Sequence, residues 1–449
     1  MRRLIKNIFW GSSQLLASQV AISFLGFITT LLLTRYLGKV EYGWLLLVMS
    51  MVSLFSMFVG FGIEGYLGTD VAREIGEERY GSVKHLLKEY VALKLALALV
   101  VFGGLLLVSR LYIRATYGEA VSSLLNLASL LILTQCVKGI YSLIFSSHTR
   151  FGYLALLNTG EVFCRTIFIA VAVIAVRSVN SVLLAYFLGS LCSLLIISPL
   201  VKRTLPYWGR VQEEQGAVLL EGLKKHGKWA IILNITKTST SQLPNLILAS
   251  FVNTEAVAIY NVAAKFVSLL EIPLISFQEV LQTTLAKEIR WARGILLHAT
   301  KYSLAFAIPL CIFAFFTTDR LLVTFFSNKY AEAAFIAKIM LLAIISYALR
   351  VAQRPVLYSF RKQNLLLTSY LVVSAVYLGA GTLLTYYFGI VGFAVANTAS
   401  GFLVFFVRNY LIGRHIGLQI TFKEMRTVDE FDRKILKEGF VRLARWVPL

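Results

Sequence analysis

Long runs of hydrophobic residues, separated by short polar segments, fill most of this 449-residue chain. A helix needs about 20 apolar residues to cross a bilayer core about 30 Å thick. The pattern therefore predicts an all-α membrane protein with twelve membrane-spanning helices. The predicted spans lie near residues 11–34, 43–63, 91–109, 121–146, 152–176, 180–200, 229–252, 257–283, 302–318, 333–353, 365–387 and 389–412.

The longest polar connection between predicted spans divides them six and six. We therefore predict an N-lobe of six helices at 1–200, a cytoplasmic linker at 201–228, a C-lobe of six helices at 229–412 and a cytoplasmic tail at 413–449. The segment that begins at Leu31 resembles the one that begins at Leu246, which favours a repeated lobe. Chance similarity between two apolar segments is the alternative.

Composition and charge agree with a membrane protein. Hydrophobic residues make up 58% of the chain and charged residues 15%, whereas soluble domains carry about 25% charged residues. These values exclude a soluble enzyme, a fibrous protein and a disordered chain. The net charge of +21 comes from basic residues that concentrate in connections on the side of the N-terminus. The positive-inside rule therefore predicts a multi-pass protein of the cell membrane with both termini cytoplasmic.

The remaining chemistry of the sequence is sparse. Basic residues dispersed over many short loops do not form one surface for nucleic acid. The four cysteines lie in apolar runs at unrelated spacings, and the five histidines lack a metal-binding spacing. A phosphate-binding glycine-lysine motif is absent, so we predict a protein that is not an enzyme and has no cofactor. The same absence predicts that the chain does not hydrolyse ATP. A gradient of Na⁺ or H⁺, the membrane potential or a substrate gradient would then supply the energy for any transport.

The C-terminal tail is polar, with hydrophobic residues from Val428 to Trp446 at roughly helical spacing and basic residues between them. This pattern predicts an amphipathic helix. Such a helix either lies on the cytoplasmic leaflet or packs on the loops of the protein itself.

Seven basic residues lie inside the predicted spans, where each costs several kcal/mol unless it meets water or a partner. Lys94, Arg350 and Arg408 lie within about two turns of a cytoplasmic end, from which a long side chain can extend to the interface. The four deeper residues form the candidate cationic cavity; they are Lys138, Arg165, Lys237 and Lys265.

The seventh predicted span has a polar face that includes one of these bases. Asn234, Lys237, Thr238, Ser241 and Asn245 fall within a sector of about 100°. This stripe predicts the wall of a water-filled cavity. Hydrogen bonding between helices of a dry bundle is the alternative, and it suits serine and threonine better than lysine.

The first predicted span has a similar face, formed by Ser12, Gln19, Ser23, Gly26 and Thr30. This face fits two interpretations, the wall of a cavity and a dry, hydrogen-bonded interface between helices. If the cavity interpretation holds, the first helices of both lobes line it, with Gln19 and Ser23 among the polar lining residues.

Two acidic residues inside the predicted spans are candidates for binding a cation whose movement across the membrane drives transport. Glu161 precedes Arg165 by one helical turn, so a neutralising pair is the alternative role. Glu271 lies before Pro273 in the eighth span, and it either couples or neutralises a nearby base. Lys265 has no acid three or four residues away, so it is the deep base least easily explained as structural.

Three segments resemble a known family. They are TRYLGKVEYG (34–43), IYNVAAKF (259–266) and YFGIVGFAVANTAS (387–400). They are similar to polysaccharide biosynthesis transporters, the Wzx-type flippases, of the multidrug/oligosaccharidyl-lipid/polysaccharide (MOP) superfamily. The resemblance implies two six-helix lobes in a V shape, as in MATE transporters, and a cationic lumen for a diphosphate. It places Lys265 in that lumen and Arg35 in the first outward turn, where a turn-stabilising role is the alternative.

The resemblance implies a flippase that moves a polyprenyl-diphosphate-linked oligosaccharide from the cytoplasmic to the outer leaflet. Its partners would be the lipid-linked glycan, membrane lipids and a glycan polymerase or glycosyltransferases. The alternatives are a cation-coupled multidrug exporter of the MATE type and a membrane scaffold without transport activity. Deep bases outnumber unpaired deep acids, which favours an anionic substrate.

Overall fold

The computed structural model describes residues 2–60, 62, 64–213, 228–287 and 289–427, which form helices joined by short turns, with no strand in these ranges. The helices are α1 (Arg2–Tyr36), α2 (Lys39–Gly60), α3 (Glu64–Gly76), α4 (Tyr80–Val108), α5 (Arg114–Ala128), α6 (Leu130–Ser147), α7 (Phe151–Ala175), α8 (Val179–Thr204), α9 (Lys228–Phe251), α10 (Thr254–Lys287), α11 (Ala292–Phe326), α12 (Ala333–Arg350), α13 (Gln353–Ser359), α14 (Gln363–Ile416) and α15 (Phe422–Arg426). The predicted amphipathic helix between Val428 and Trp446 lies outside the described residues, as does half of the predicted linker, residues 214–227.

In the described part of the chain, nine stretches are long and apolar enough to cross a membrane. We call two of these composite because each contains two predicted spans: Tyr80–Ser147 has 68 residues and Gln363–Ile416 has 54. The predicted all-α membrane fold is therefore confirmed, whereas the count of twelve spans stays a prediction. Helix α9, which corresponds to the polar seventh span, is not among the nine stretches.

Local breaks explain why the composite stretches hold more than one predicted span. Gly389 has φ 58° and ψ −140°, so α14 consists of two helical segments that meet at this residue. A positive φ is open to glycine because it has no Cβ. The predicted spans 365–387 and 389–412 are these two segments. In Tyr80–Ser147, Gly118 has φ 88° and ψ 172° and interrupts the helix between the predicted spans 91–109 and 121–146. Outside the composite stretches, Gly62, with φ 75°, lies in the turn that separates α2 from α3.

The chain divides into two compact units. Unit one contains Met1–Leu269, Asp319–Ala337 and Val376–Ala394, and unit two contains Leu270–Thr318, Lys338–Ala375 and Val395–Leu449. These boundaries differ from those of the predicted lobes at 1–200 and 229–412, and the six-and-six division stays a prediction.

Within unit one, α7 packs against both α1 and α8. Hydrogen bonds from α1 reach α7 at two levels, Ser18 to Thr159 at 2.7 Å and Thr29 to Thr166 at 2.9 Å. Helix α8 comes close at Gly189, where a Cβ would lie 2.7 Å from the Cα of Arg165. This close contact places the Arg165 side chain beside α8.

Unit two has its own apolar core. Leu285, Leu296, Val351, Val356 and Ile412 are fully buried there. These residues come from α10, α11, α14 and the segment around α13, so the core joins elements that are distant in sequence. Burial of a leucine, isoleucine or valine side chain contributes about 1.5–3 kcal/mol in water, although lipid reduces this term on outer faces.

Candidate functional site

Two of the four deep bases share one carboxylate in unit one. The Lys138 ammonium on α6 lies 2.5 Å from Oε2 of Glu161 on α7, and the Arg165 guanidinium pairs with Oε1 of the same group. Arg165 also donates from Nε to Ser190 Oγ on α8 at 2.7 Å. The Glu161 side chain is only 4% exposed. We call Lys138, Glu161 and Arg165 the Glu161 triad; two bases and one acid leave it with a single excess positive charge.

The geometry of the triad bears on two sequence predictions. The neutralising pair between Glu161 and Arg165 is present, and Lys138 extends it from a second helix. The two bases are therefore not free cations, although the triad as a whole remains positive. A coupling role for Glu161 stays a prediction.

Lys265 lies eleven residues after the start of α10 at Thr254, which is about 16 Å along the helix axis at 1.5 Å per residue. Its ammonium faces α1, because a Cβ built on Gly26 would lie 3.2 Å from Nζ. The residue is half-buried, and no carboxylate in the described part of the chain forms an ion pair with it. Lys265 therefore presents an unneutralised ammonium near the polar face of α1.

The predicted polar face of α9 separates into different environments. Lys237 and Ser241 are exposed, whereas Asn234 and Thr238 line a cavity in unit one. Asn245 is buried and hydrogen-bonds to Ser50 and to Asn261, both at 2.7 Å. The structure thus places Asn245 in a dry link between helices rather than on an open wall, because two neighbouring side chains satisfy its amide.

On α1, Gln19 is exposed and Ser23 is half-buried. The Ser23 hydroxyl donates to the Gln19 carbonyl oxygen and the Thr30 hydroxyl to that of Gly26, both at 2.9 Å. These hydroxyls are satisfied within their own helix. The side chain of Ser12 lies outside the described set.

The cavity in unit one has a volume of about 280 Å³. It lies among α2, α3, α4, α6 and α9, and seven of its fourteen lining residues have polar side chains. The polar lining residues are Ser53, Ser56, Glu64, Lys94, Gln135, Asn234 and Thr238. We call this space the polar cavity.

Lys94 does not extend to the membrane interface, so that prediction was wrong. Its residue exposure is only 4%, and Nζ donates to Glu64 Oε1 at 2.7 Å and to the Tyr90 hydroxyl at 2.8 Å. Gly139 on α6 leaves room for this ammonium, since a Cβ there would lie 2.0 Å from Nζ. Sequence reasoning missed Glu64 because it lies one residue beyond the predicted span 43–63. Its position beside a glycine-rich break was the available signal.

The prediction was wrong for Arg408 as well. Arg408 in unit two is 4% exposed; its Nε donates to Ser369 Oγ at 3.1 Å, and its guanidinium lies 4.9 Å from the Tyr370 ring centre. Hydrogen bonding and the aromatic ring thus replace water around this cation.

Glu271, the second candidate coupling acid, is half-buried and interacts electrostatically with Arg350.

Arg35 stabilises a turn in unit one. Its guanidinium donates to the carbonyl oxygens of Thr324 at 3.0 Å and Phe325 at 3.2 Å, which belong to the last turn of α11. Lys329 donates in return to the carbonyl oxygen of Leu37 at 2.5 Å, beyond the end of α1. Basic side chains at helix C-termini satisfy carbonyl groups that lack a partner within the helix. This contact supports the turn-stabilising alternative for Arg35.

The sequence and the fold both match known proteins. A model of the polysaccharide biosynthesis protein family matches residues 4–282, more than half of the chain. The fold is similar to an inward-facing multidrug resistance MATE family transporter of the MOP superfamily, with a TM-score of 0.72 and 12% identity, over 88% of this chain and 94% of that one. It is also similar to the lipid II flippase MurJ in an inward closed conformation, with a TM-score of 0.73 and 13% identity, over 96% of this chain and 93% of that one.

A MOP superfamily transporter from Pyrococcus furiosus matches with a TM-score of 0.63 and 11% identity, over 93% of this chain and 97% of that one. Identities this low show a shared fold, which confirms the predicted MOP-like fold class. Among curated proteins, none matches the chain significantly.

Proposed function

Because the chain belongs to the polysaccharide biosynthesis protein family, we propose that it is a flippase for a polyprenyl-diphosphate-linked oligosaccharide. The family and the MOP fold make it a membrane transporter rather than an enzyme. In this proposal the glycolipid moves from the cytoplasmic to the outer leaflet by alternating access, and it then serves assembly of surface polysaccharide or glycan. A glycan polymerase or glycosyltransferases would act beside it, and both termini would be cytoplasmic.

The observation that supports an anionic substrate most directly is the half-buried ammonium of Lys265. It lies about 16 Å from the start of a helix long enough to cross a bilayer, without a carboxylate partner among the described residues. A cation in such a place is expensive unless a ligand or water compensates it. A diphosphate group provides that compensation through charge-assisted hydrogen bonds. The excess positive charge of the Glu161 triad and the exposed ammonium of Lys237 also favour an anionic substrate.

The direction of transport is consistent with this charge. An inside-negative membrane potential favours outward movement of an anion by about 2.3 kcal/mol per charge per 100 mV. The potential could therefore contribute to transport of a diphosphate, with or without a coupling ion such as Na⁺ or H⁺.

A multidrug exporter for cationic drugs would need an accessible carboxylate instead. Glu161 lies between two bases, and Arg350 acts electrostatically on Glu271. Neither acid is therefore a simple site for an organic cation, which is why we propose the flippase.

The proposal is tested by Lys265→Met in proteoliposomes that contain a fluorescent polyprenyl-diphosphate oligosaccharide. Loss of a charged hydrogen bond of about 1.5–3 kcal/mol predicts a fall of roughly 10- to 150-fold in the flipping rate. Lys202→Met, at an exposed position near the end of α8, is the matched control and should flip normally. Wild-type protein that exports organic cations but does not flip the glycolipid would overturn the proposal. Full activity of Lys265→Met would remove Lys265 from the substrate path.

A further inference from the structure

The polar cavity differs in charge from the candidate cationic residues. Its ion pair is internally neutral, because the Lys94 ammonium lies 2.7 Å from the Glu64 carboxylate. The other polar lining groups are the uncharged side chains of Ser53, Gln135 and Asn234 and their neighbours. Neither an anion nor a cation therefore finds an uncompensated opposite charge on these walls.

Glycines on two helices make room for this ion pair. A Cβ on Gly139 would lie 2.0 Å from the Lys94 ammonium, and a Cβ on Gly60 would lie 2.2 Å from Oε1 of Glu64. Tyr90 completes the arrangement, because its hydroxyl accepts from Lys94 and donates to Glu64 at 3.2 Å. Since Lys94 is held on two sides, its charge is fixed in the wall rather than presented to a ligand.

The wall nevertheless offers many hydrogen bonds. Each amide of Gln135 and Asn234 carries donors and an acceptor, and each serine hydroxyl acts as both. The Glu64 side chain is 32% exposed and can accept further hydrogen bonds.

The dimensions of the polar cavity limit the ligand. One water molecule occupies about 30 Å³ in the liquid, so a volume of about 280 Å³ holds a group on the scale of one sugar ring. A neutral sugar has no charge to compensate, and its hydroxyl groups both donate and accept hydrogen bonds, as the polar groups of these walls do.

We propose that the polar cavity binds an uncharged, hydroxyl-rich sugar residue of the transported glycolipid. The proposal rests on the proposed flippase function and deepens it. The diphosphate would associate with Lys265 and the positively charged Glu161 triad, whereas Gln135, Asn234, Ser53 and the exposed edge of Glu64 would contact the sugar. Selectivity for the glycan would then reside in residues other than those that select for the lipid diphosphate.

The test compares binding of four lipid probes to purified protein in nanodiscs. One probe is polyprenyl diphosphate, and the others are the same lipid carrying a single N-acetylglucosamine, glucose or galactose. For the preferred sugar, the wild-type protein should bind the glycosylated lipid more tightly than the bare lipid. The double variant Gln135→Ala with Asn234→Ala should reduce this preference about tenfold and leave the Kd of the bare lipid unchanged. Gln363→Ala, which removes an exposed amide at the start of α14, is the matched control.

A second measurement does not depend on these two substitutions. The glycosylated lipid should slow alkylation of a cysteine introduced as Ser53→Cys, whereas the bare lipid should not. An unchanged sugar preference in the double variant, or equal loss of affinity for both lipids, overturns the sugar site. Wild-type protein that binds the bare lipid with no preference for any sugar also overturns it, while the proposed function stands. Failure to bind any of these lipids contradicts both proposals.

Discussion

Removal of the Glu64 carboxylate should destabilise the protein more than removal of an exposed carboxylate. In Glu64→Gln, the Lys94 ammonium keeps its buried position but loses its ionic partner at 2.7 Å. The Tyr90 hydroxyl remains as a neutral hydrogen-bond partner. The substitution preserves the shape of the side chain, so the effect measures charge rather than packing.

The burial of the two partners sets the magnitude. Removal of one member of a buried ion pair typically costs about 3–5 kcal/mol, because the other charge stays buried without compensation. The Lys94 side chain is 5% exposed, but that of Glu64 is 32% exposed, so solvent already screens part of the interaction. We therefore expect a loss of about 2–3 kcal/mol in the free energy of unfolding. The double variant Glu64→Gln with Lys94→Met should recover most of it, because an apolar side chain leaves no buried charge.

The free energy of unfolding is measured by titration of the micelle-solubilised protein with sodium dodecyl sulfate, followed by circular dichroism. Glu332→Gln is the matched control, since its ion pair with Lys39 spans 3.2 Å and the Glu332 side chain is 70% exposed. Exposed pairs contribute about 0–1 kcal/mol. The reasoning is refuted if Glu64→Gln is no more destabilising than Glu332→Gln, or if the double variant is less stable than Glu64→Gln alone.

Three further predictions concern other parts of the chain. Gly26→Val should displace the Lys265 ammonium and lower the flipping rate at least tenfold, whereas Gly103→Val, at a position with open space around it, should flip normally; equal rates would contradict the contact. Hydrogen bonds from Lys88 and His85 hold the pKa of Glu213 below its ordinary value of 4.5. This carboxylate should therefore stabilise the contact with α4 above pH 4.5, and the contribution should be lost as the pH falls through the lower folded-state pKa. The Trp208 ring centre lies 6.0 Å from the ammonium of Lys84 on α4, so its emission reports on this contact. The emission should stay constant from pH 7 to about 5 and shift below that range in wild type but not in Glu213→Gln; equal titrations would count against the contact. Both termini should lie in the cytoplasm, so a green fluorescent protein fused to either end should fluoresce and a fused alkaline phosphatase should be inactive; the reverse pattern would invert the topology.

Hydrophobic periodicity predicts the helices well because helix formation in a membrane depends on local sequence. Each backbone group must be satisfied within its own helix, so an apolar run of sufficient length is enough to indicate a span. The Glu161–Arg165 contact follows from the same local geometry, since four residues make one helical turn. The turn at Gly62 and the kink at Gly389 likewise occur at single glycines with a positive φ.

Contacts between helices are less predictable because periodicity defines a face but not its neighbour. Asn245 lies on the predicted polar face, yet Ser50 and Asn261 satisfy it and keep it dry. Lys94 lies near the end of a predicted span, which favours extension to the interface. Its actual position depends on Glu64 from α3 and on the space left by Gly139 of α6, and neither spacing is local.

The structure also changes which positive charges matter for the substrate. Lys138 and Arg165 share Glu161 and together contribute one excess charge, and Lys94 contributes none because Glu64 balances it. Lys265 retains an ammonium without a carboxylate partner among the described residues. A diphosphate diester carries one negative charge on each phosphate, so it needs more than one such base to be compensated in a low-dielectric environment. Lys265 and the positively charged triad, both in unit one, are therefore better candidates for the diphosphate than the number of deep bases alone indicates. The neutral polar cavity is correspondingly better suited to the uncharged part of the same molecule.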